Sequence, residues 1–559
     1  MNKKYIGKTP EEILSMMTLR EKVAQTIVTG IGNIEEGKMV AERGFGGISA
    51  IWGHDKESMK RFRKDVDELQ EISDIPLLIG TDMETGIGQI VHDPELATEF
   101  PEQMALGAIA DLKEAKRLAY EEGRTISAEA VNMGWNFTYT PVVDVNNNAS
   151  NPITNIRSIG EDAEKVSILT GELIKGIQDS GHMVATAKHF PGAGMQNNDS
   201  HFSLEETKAD KDEMNKVHLY SFRKAIENGV KCIMCNHAIY PMYDEVNVAT
   251  TSKAIMTDLL RNEMKFEGIT ITDAMGMAGV TAQDGDNKNM GTIRAIAAGN
   301  DLILGPYDAW NVQDALVDAV EKGLLSEERV NEAVLRILKI KESIGLFNQN
   351  KEMPERLDGW AVAKEIAKKS VTLIKDSKNL IPVNFSSLKK VMVLEPTHPA
   401  KRLDFGLYTN MTLIHETLKK VAHQAELALF SQDATKEEEQ ALVAQAKESD
   451  IVIVGTSFRS RSGQVGLLTQ RQLEILKAIH TVNPNIIAVI SNPYVSAQLD
   501  FIDTIVCCYS TSRVAVDAAV NVLYGKEKAL GVLPVTIPKK LNTEHIQILS
   551  HEDVYKRQE

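Results

Sequence analysis

Lys188-His189-Phe190-Pro191-Gly192-Ala193-Gly194, followed by Asp199-Ser200-His201, is the densest group of reactive side chains in the chain. It leaves an apolar run, Met183-Val184-Ala185-Thr186-Ala187, and opens into a loop rich in Gly and Asn. Cationic and polar groups at the end of a buried strand are what the rim of an active site in a large α/β protein requires. Asp199 and His201 flank a single serine. A carboxylate beside an imidazole can fix its tautomer and tune it toward neutrality, which makes the pair a proton-transfer device. The run Asn197-Asn198-Asp199-Ser200 is also turn-prone, so a purely local turn is the competing explanation.

Asp273 lies in Thr270-Ile271-Thr272-Asp273-Ala274-Met275-Gly276-Met277. At the end of a strand it can serve as a nucleophile toward an anomeric carbon, or it can cap the next helix, as Asp often does. Lys188, His189 and Arg157 are donors suited to hydroxyl and amide groups of a sugar. Arg157 alternatively pairs with Glu161 or Asp162 on a solvated loop. Asp82 can accept two hydroxyls, and Glu84 can do the same or act as a cap.

These residues need a scaffold that gathers strand ends. Eight candidate strands fall at Val23–Thr29, Gly46–Trp52, Pro76–Asp82, Phe137–Asp144, Met183–Phe190, Cys232–Ala238, Ile269–Ala274 and Asn300–Leu304. Helical periodicity fills the gaps, at 55–72, 106–133, 162–180, 211–228 and 252–265. Eight such units predict a (β/α)8 TIM-type barrel, with Asp82, Asp144, Lys188, His189, Asn236, His237 and Asp273 at its C-terminal face. Ser326-Glu327-Glu328 caps a closing helix, 326–346, whose buried face is Val330, Val334, Ile337, Leu338 and Ile340. Beyond it, buried parallel-type strands at 391–394, 451–455, 486–490 and 504–508 alternate with helices, which predicts an α/β three-layer sandwich. The expected domains are 1–346 for the barrel, 347–375 for a linker, 376–552 for the sandwich and 553–559 for a disordered tail or scar.

The 559 residues, 43% hydrophobic and 25% charged, are ordinary for a globular protein of two domains. A net charge of −16 argues against nucleic acid or an anionic membrane as partner. The basic start has no apolar run behind it, so a secretory leader is not expected and a cytoplasmic location is. Four cysteines are too few for a disulfide framework. Cys232-Ile233-Met234-Cys235 lies in a strand, where side chains alternate faces, so neither a metal nor a redox role is expected. No nucleotide-binding glycine motif follows any strand, and no cofactor is expected.

The motif Lys188-His189-Phe190-Pro191-Gly192-x-Gly194-x4-Asp199-Ser200-His201 resembles glycoside hydrolase family 3, in its β-N-acetylglucosaminidase branch. Arg157-Ser158-Ile159-Gly160-Glu161-Asp162 is similar to the family's R-S-F-G-E-D stretch. Ser370-Val371-Thr372-Leu373-Ile374 and Gly531-Val532-Leu533-Pro534-Val535 resemble the ends of its second domain. The resemblance implies Asp273 as nucleophile, His201 as acid/base with Asp199 as its partner, and Asp82, Arg157, Lys188 and His189 as sugar-binding residues. Where the family usually has D-x-E-G-G-R-V-x-R, this chain has Asp82-Met83-Glu84-Thr85-Gly86-Ile87-Gly88-Gln89-Ile90, so both arginines are replaced by isoleucine. Ala193 stands where the branch often has His.

The implied activity is a two-step retaining exo-hydrolysis of terminal β-linked N-acetylglucosamine from cell-wall muropeptide or chitin fragments, with a small carbohydrate as substrate and neither nucleic acid nor membrane as partner. A β-glucosidase or β-xylosidase of the same family, a phosphate-dependent phosphorylase and a sugar-binding protein without catalysis are the alternatives. A loop of the second domain, Arg459-Ser460-Arg461, is a candidate to reach the barrel.

Overall fold

The computed structural model describes residues 5–50, 54–281, 289–347, 352–397, 413–456 and 466–541. The chain divides into two units. The first comprises Met1–Thr98, Ala119–Val145 and Ala163–Gly359, and the second Glu99–Leu118, Asn146–Asp162 and Trp360–Glu559. The Arg459-Ser460-Arg461 loop and the 553–559 tail lie outside the described residues.

Among the described residues, eight short strands form the ring of the first unit: β1 Ile27–Ile31, β2 Gly47–Ala50, β3 Leu78–Thr81, β4 Phe137–Thr138, β5 Thr186–Phe190, β6 Cys232–Cys235, β7 Ile269–Thr272 and β8 Ile303–Leu304. β8, β1, β2, β3 and β4 form one parallel sheet, and β5, β6 and β7 another. Parallel bridges Phe137–Val184, Val142–Lys188 and Ile271–Leu302 join them into a closed ring. The expected barrel is therefore present. Closure leaves no free sheet edge and sends every βα loop to the same end. Val28, Leu78, Phe137, Met234, Ile269 and Leu302 belong to the buried core of this unit.

The expected helix 106–133 is split into Met104–Ala108 and Leu112–Met133, and the expected strand Cys232–Ala238 into Cys232–Cys235 and Ala238–Tyr240. Two further differences have local reasons. Val23 belongs to a helix, Leu19–Gln25, capped by Thr18 and Glu21, so β1 begins at Ile27. The expected strand to Asp144 is broken after Thr138 because Pro141 has no N–H to donate to a ladder. Pairing resumes at Val142.

Ser326 caps the closing helix, Glu327–Ser343, by accepting from Arg329 N–H. Its buried face is Val330, Ala333, Val334, Ile337 and Leu338, but it also carries Lys341, fully buried, whose Nζ donates to Gln25 Oε1 at 2.8 Å. Ile340 is only partly buried. Beneath β8, Asp301 is buried against Arg261, Arg329 and Arg336 at 2.6, 2.7 and 3.1 Å. A buried carboxylate with three guanidinium partners ties the start of β8 to the helices around it.

The second unit is built on a six-stranded sheet: β9 Thr372–Asp376, β10 Val391–Thr397, β11 Ala425–Ser431, β12 Ile451–Thr456, β13 Ile486–Ile490 and β14 Thr504–Cys507. The order is β9-β14-β13-β12-β10-β11, with β9 antiparallel and the rest parallel. The four central strands are those the apolar runs predict. The edge strands β9 and β11 mix buried with half-buried and exposed residues and carry charge, so no continuous buried apolar run marks them. The expected linker at 347–375 is corrected: from Gly359 it is a helix, Gly359–Ser370, leading directly into β9.

Among the described residues no helix is long and apolar enough to cross a membrane. Burial without an ionic partner pushes the Lys341 ammonium down to about 7. Between that value and the ordinary lysine value near 10.4, the unfolded chain binds a proton that the folded chain does not, so native stability rises with pH across this window. Lys341→Met, of similar volume, is expected to raise the melting temperature at pH 7, with an advantage that shrinks as pH approaches 10. Thermal melts at pH 7 and 9.5 test this; a constant difference would show that the ammonium is not the cause.

Candidate active site

The polar residues at the C-terminal ends of the barrel strands fall into three groups. In the first, Lys188 on β5 is 2% exposed and its Nζ lies 2.7 Å from Asp82 Oδ1 and 2.6 Å from Glu84 Oε1. Both acids follow β3. Burying an ammonium is tolerated only when it is paired and hydrogen-bonded, and here two carboxylates supply that. Asp82 keeps about half of its side chain exposed (52%), whereas Glu84 is buried. Asp82 can therefore meet a ligand, while Glu84 holds Lys188 in place.

The second group centres on Asp144. Its buried carboxylate accepts from His189 N–H at 3.1 Å, from Ala193 N–H at 2.7 Å and from His189 Nδ1 at 2.7 Å. The Nδ1–H···O contact leaves Nε2 as the ring nitrogen that can meet a ligand. Sequence reasoning placed Asp144 at a strand end without giving it a role. A lone acid inside Val142-Val143-Asp144-Val145 was the available signal, since such a group must find donors when buried.

The third group is the Asp199–His201 pair, with Asp273 at the end of β7. His201 Nδ1 lies 2.7 Å from Asp199 Oδ1, which also accepts His201 N–H at 2.9 Å. Phe202 and Ser203 N–H groups reach the Asp199 carbonyl at 3.0 and 3.1 Å. The turn and the Asp–His pair are thus one structure rather than alternatives. Asp199 is buried and His201 is about a third exposed. On the far side of the loop, Glu205 accepts Asn197 N–H and Asn198 Nδ2 at 2.9 and 2.7 Å. Glu205–Glu206 pairs with Ala238–Tyr240, which pairs with Asp244–Val248, so the loops after β5 and β6 share a small sheet.

Asp273 follows β7 directly, with its N–H on the Cys235 carbonyl at 3.2 Å. The next helical turn starts only at Ala278, so Asp273 is not its cap. Burial pushes the Asp273 carboxyl up, but His189, His237 and His201 outweigh it together with the Ala274 N–H, and the group stays below the usual aspartate range. Asp273 is thus an anion kept among three imidazoles. His237, fully buried at the end of β6, was not assigned a role from sequence. Its Nε2 meets the Ala274 carbonyl at 3.1 Å and its Nδ1 meets Thr250 Oγ1 at 2.6 Å, and burial holds it below the ordinary histidine value.

The structure brings Lys188 to Asp82, places His189 and His201 within electrostatic reach of Asp273, and joins His201 to Asp199. Arg157 belongs to the segment Asn146–Asp162, which groups with the second unit. There its Nη1 donates to the Ile153 carbonyl at 3.1 Å, while Glu161 accepts Thr536 N–H and Oγ1 at 2.8 and 2.6 Å. Ile87 and Ile90 are buried, in and beside the turn Ile87–Gln89. Cys232 and Cys235 are both buried on β6, and Cys235 Sγ reaches Thr250 Oγ1 and Asn300 Oδ1. Among the described residues no cluster of three metal-binding side chains occurs.

A closed parallel barrel that gathers carboxylates, imidazoles and a lysine at the C-terminal ends of its strands has the architecture of a barrel enzyme. Comparison with known proteins places it more closely. The N-terminal domain of glycosyl hydrolase family 3 matches residues 18–340, and the C-terminal domain of that family matches residues 371–558. The chain is 28% identical to a β-N-acetylglucosaminidase/β-glucosidase of Cellulomonas fimi over 84% of this chain and 85% of that one. It is 29% identical to β-hexosaminidase A of Pseudoalteromonas piscicida over 73% and 72% of the two chains. The solved structure of a family 3 β-N-acetylglucosaminidase from Paenibacillus sp. FPU-7 superposes with a TM-score of 0.82 at 28% identity, covering 94% of this chain and all of that one. The chain belongs to glycosyl hydrolase family 3 and is a carbohydrate-active enzyme.

Asp144→Asn removes the charge that three donors share. Unfolding free energy is expected to fall by about 2 kcal/mol, read from denaturant melts. Unchanged stability would mean that the carboxylate charge does not hold the turn after β5.

Proposed function

We propose that the protein is a retaining exo-β-N-acetylglucosaminidase acting on terminal β-linked N-acetylglucosamine of cell-wall muropeptide or chitin-derived fragments. The observation that carries this reading is the Asp199–His201 pair, 2.7 Å apart, on the loop after β5, together with Asp273 after β7, whose carboxyl the nearby imidazoles hold below the usual aspartate range. Family relatives named as N-acetylglucosaminidases and hexosaminidases support the substrate class.

In the first step Asp273 attacks C1. The C1–O bond to the leaving group breaks as the carboxylate–C1 bond forms, and His201 Nε2–H gives its proton to the departing oxygen. Asp199 keeps Nδ1–H in place, so Nε2 is the nitrogen that exchanges the proton. In the second step Nε2 takes a proton from water, whose oxygen displaces Asp273 from C1 with inversion at that step and net retention. His189 is oriented by Asp144 through Nδ1. Lys188 and Asp82 form a paired donor and acceptor for sugar hydroxyls.

One feature favours a second reading, a broader enzyme that also accepts β-glucosides. Ile87 and Ile90 stand where the family resemblance expects arginines, and a relative named for both activities aligns over most of the chain. Four buried, unpaired thiols suit a reducing compartment, which supports a cytoplasmic site of action.

Initial rates on the p-nitrophenyl β-glycosides of N-acetylglucosamine, glucose and xylose, with and without phosphate, test the proposal. A preference for the N-acetyl sugar unaffected by phosphate is expected; equal rates on the glucoside favour the second reading, and a phosphate-dependent rate marks a phosphorylase. Asp273→Asn should lower kcat by about 10³-fold or more. His201→Ala should slow poor leaving groups by about 10²-fold or more and activated ones far less.

A further inference from the structure

The proton-transfer loop and the segment carrying Asp273 are joined through their backbones. The helical turn Ala278–Thr281 begins five residues after Asp273. The first N–H groups of any helical turn lack partners within it. Here Gly279 N–H donates to the Ser200 carbonyl at 3.0 Å, and Ala278 N–H reaches the His201 carbonyl at 3.4 Å. Beneath this contact lies His237, whose ring holds the Ala274 carbonyl next to Asp273.

Space at the junction is filled to the limit. A Cβ on Gly279 would lie 2.7 Å from the His237 carbonyl oxygen, 3.0 Å from the His237 Cβ and 3.2 Å from the Ser200 carbonyl oxygen. Two of these are backbone atoms, one on the end of β6 and one on the loop itself. Neither can swing aside as a flexible side chain would, so a methyl group must part the Ala278–Thr281 turn from the end of β6 and disturb its seat against the loop.

We propose that Gly279 is a positioning residue that docks the Asp199–His201 loop onto the segment carrying Asp273 and so sets the reach of the His201 imidazole to the leaving oxygen. Gly279 touches neither substrate nor reacting atoms; it acts through His201. The inference rests on the assignment of His201 as acid/base and Asp273 as nucleophile. The loop is held on its other flank by Glu205, through Asn197 and Asn198. Undocking at Gly279 therefore displaces the Asp–His pair without unfolding the turn that unites it, since that turn is closed by its own hydrogen bonds.

The test is Gly279→Ala beside His201→Ala, each assayed on the 2,4-dinitrophenyl and phenyl β-N-acetylglucosaminides. The dinitrophenyl group departs without a proton, whereas phenoxide needs one. For Gly279→Ala, kcat/KM on the phenyl glycoside is expected to fall about tenfold or more beyond its fall on the dinitrophenyl glycoside. Equal losses on both substrates, or none, would overturn the docking role while His201→Ala still shows the leaving-group dependence. If His201→Ala itself shows none, the acid/base assignment fails and the inference fails with it. Should Gly279→Ala not fold, amide hydrogen exchange on the wild-type chain decides. Slow exchange at Ala278 and Gly279 supports docking, and exchange at the rate of an open turn overturns it.

Discussion

A carboxylate buried in a protein interior must be surrounded by donors or it will not stay charged, and the geometry of the site follows from how Asp144 meets that demand. Its oxygens collect the backbone N–H of His189 and of Ala193 and the ring Nδ1 of His189. Those contacts bend the chain sharply as it leaves β5, turn the His189 ring and set the start of the loop that ends in His201. Gly192 allows the bend: its φ is +132°, and a Cβ there would lie 2.7 Å from the His218 Cβ. Tyr240 closes the turn by donating to the Gly192 carbonyl at 2.6 Å.

The remaining groups are arranged so that each charged residue has a partner that also restrains it. Glu84 restrains Lys188, Asp144 restrains His189, and Asp199 restrains His201. Asp273 differs. It lies among three imidazoles and accepts a hydrogen bond from the adjacent Ala274 N–H at 2.8 Å. Under the proposed mechanism this leaves the carboxylate able to attack, whereas one tied to guanidiniums, as Asp301 is, would be held in place. The two acids thus stand in opposite settings, Asp273 half-buried after β7 and Asp301 fully buried before β8.

Membership of glycosyl hydrolase family 3 accords with both halves of the chain, since both family domains match. The departures from the family pattern are local. At positions 87 and 90 isoleucines are buried in and beside a short turn, and Gln89 accepts the Thr85 N–H at 3.2 Å. The loop after β3 is thus stabilised by apolar packing and an internal hydrogen bond, with Lys188 as the cation paired to Asp82.

Much of this was legible before any fold was known. Eight apolar runs separated by helical periodicity specify a parallel α/β barrel, because only burial on both faces permits such runs. The polar residues ending those runs specify which face is chemical. The motif from Lys188 to His201 identifies the Asp–His pair, since both partners lie within three residues and their contact is local. What sequence could not supply are contacts between distant segments. Asp144 meets Ala193 across 49 positions, and Glu84 meets Lys188 only because β3 and β5 end on one face of a closed ring. Edge strands β9 and β11 escaped notice because half-exposed residues carry no continuous apolar signal. The seating of the His201 loop at Gly279 depends on a backbone distance that no residue type encodes. Sequence determines local order and burial through periodicity; only tertiary structure decides which buried groups become partners, because pairing requires closure of the chain in space.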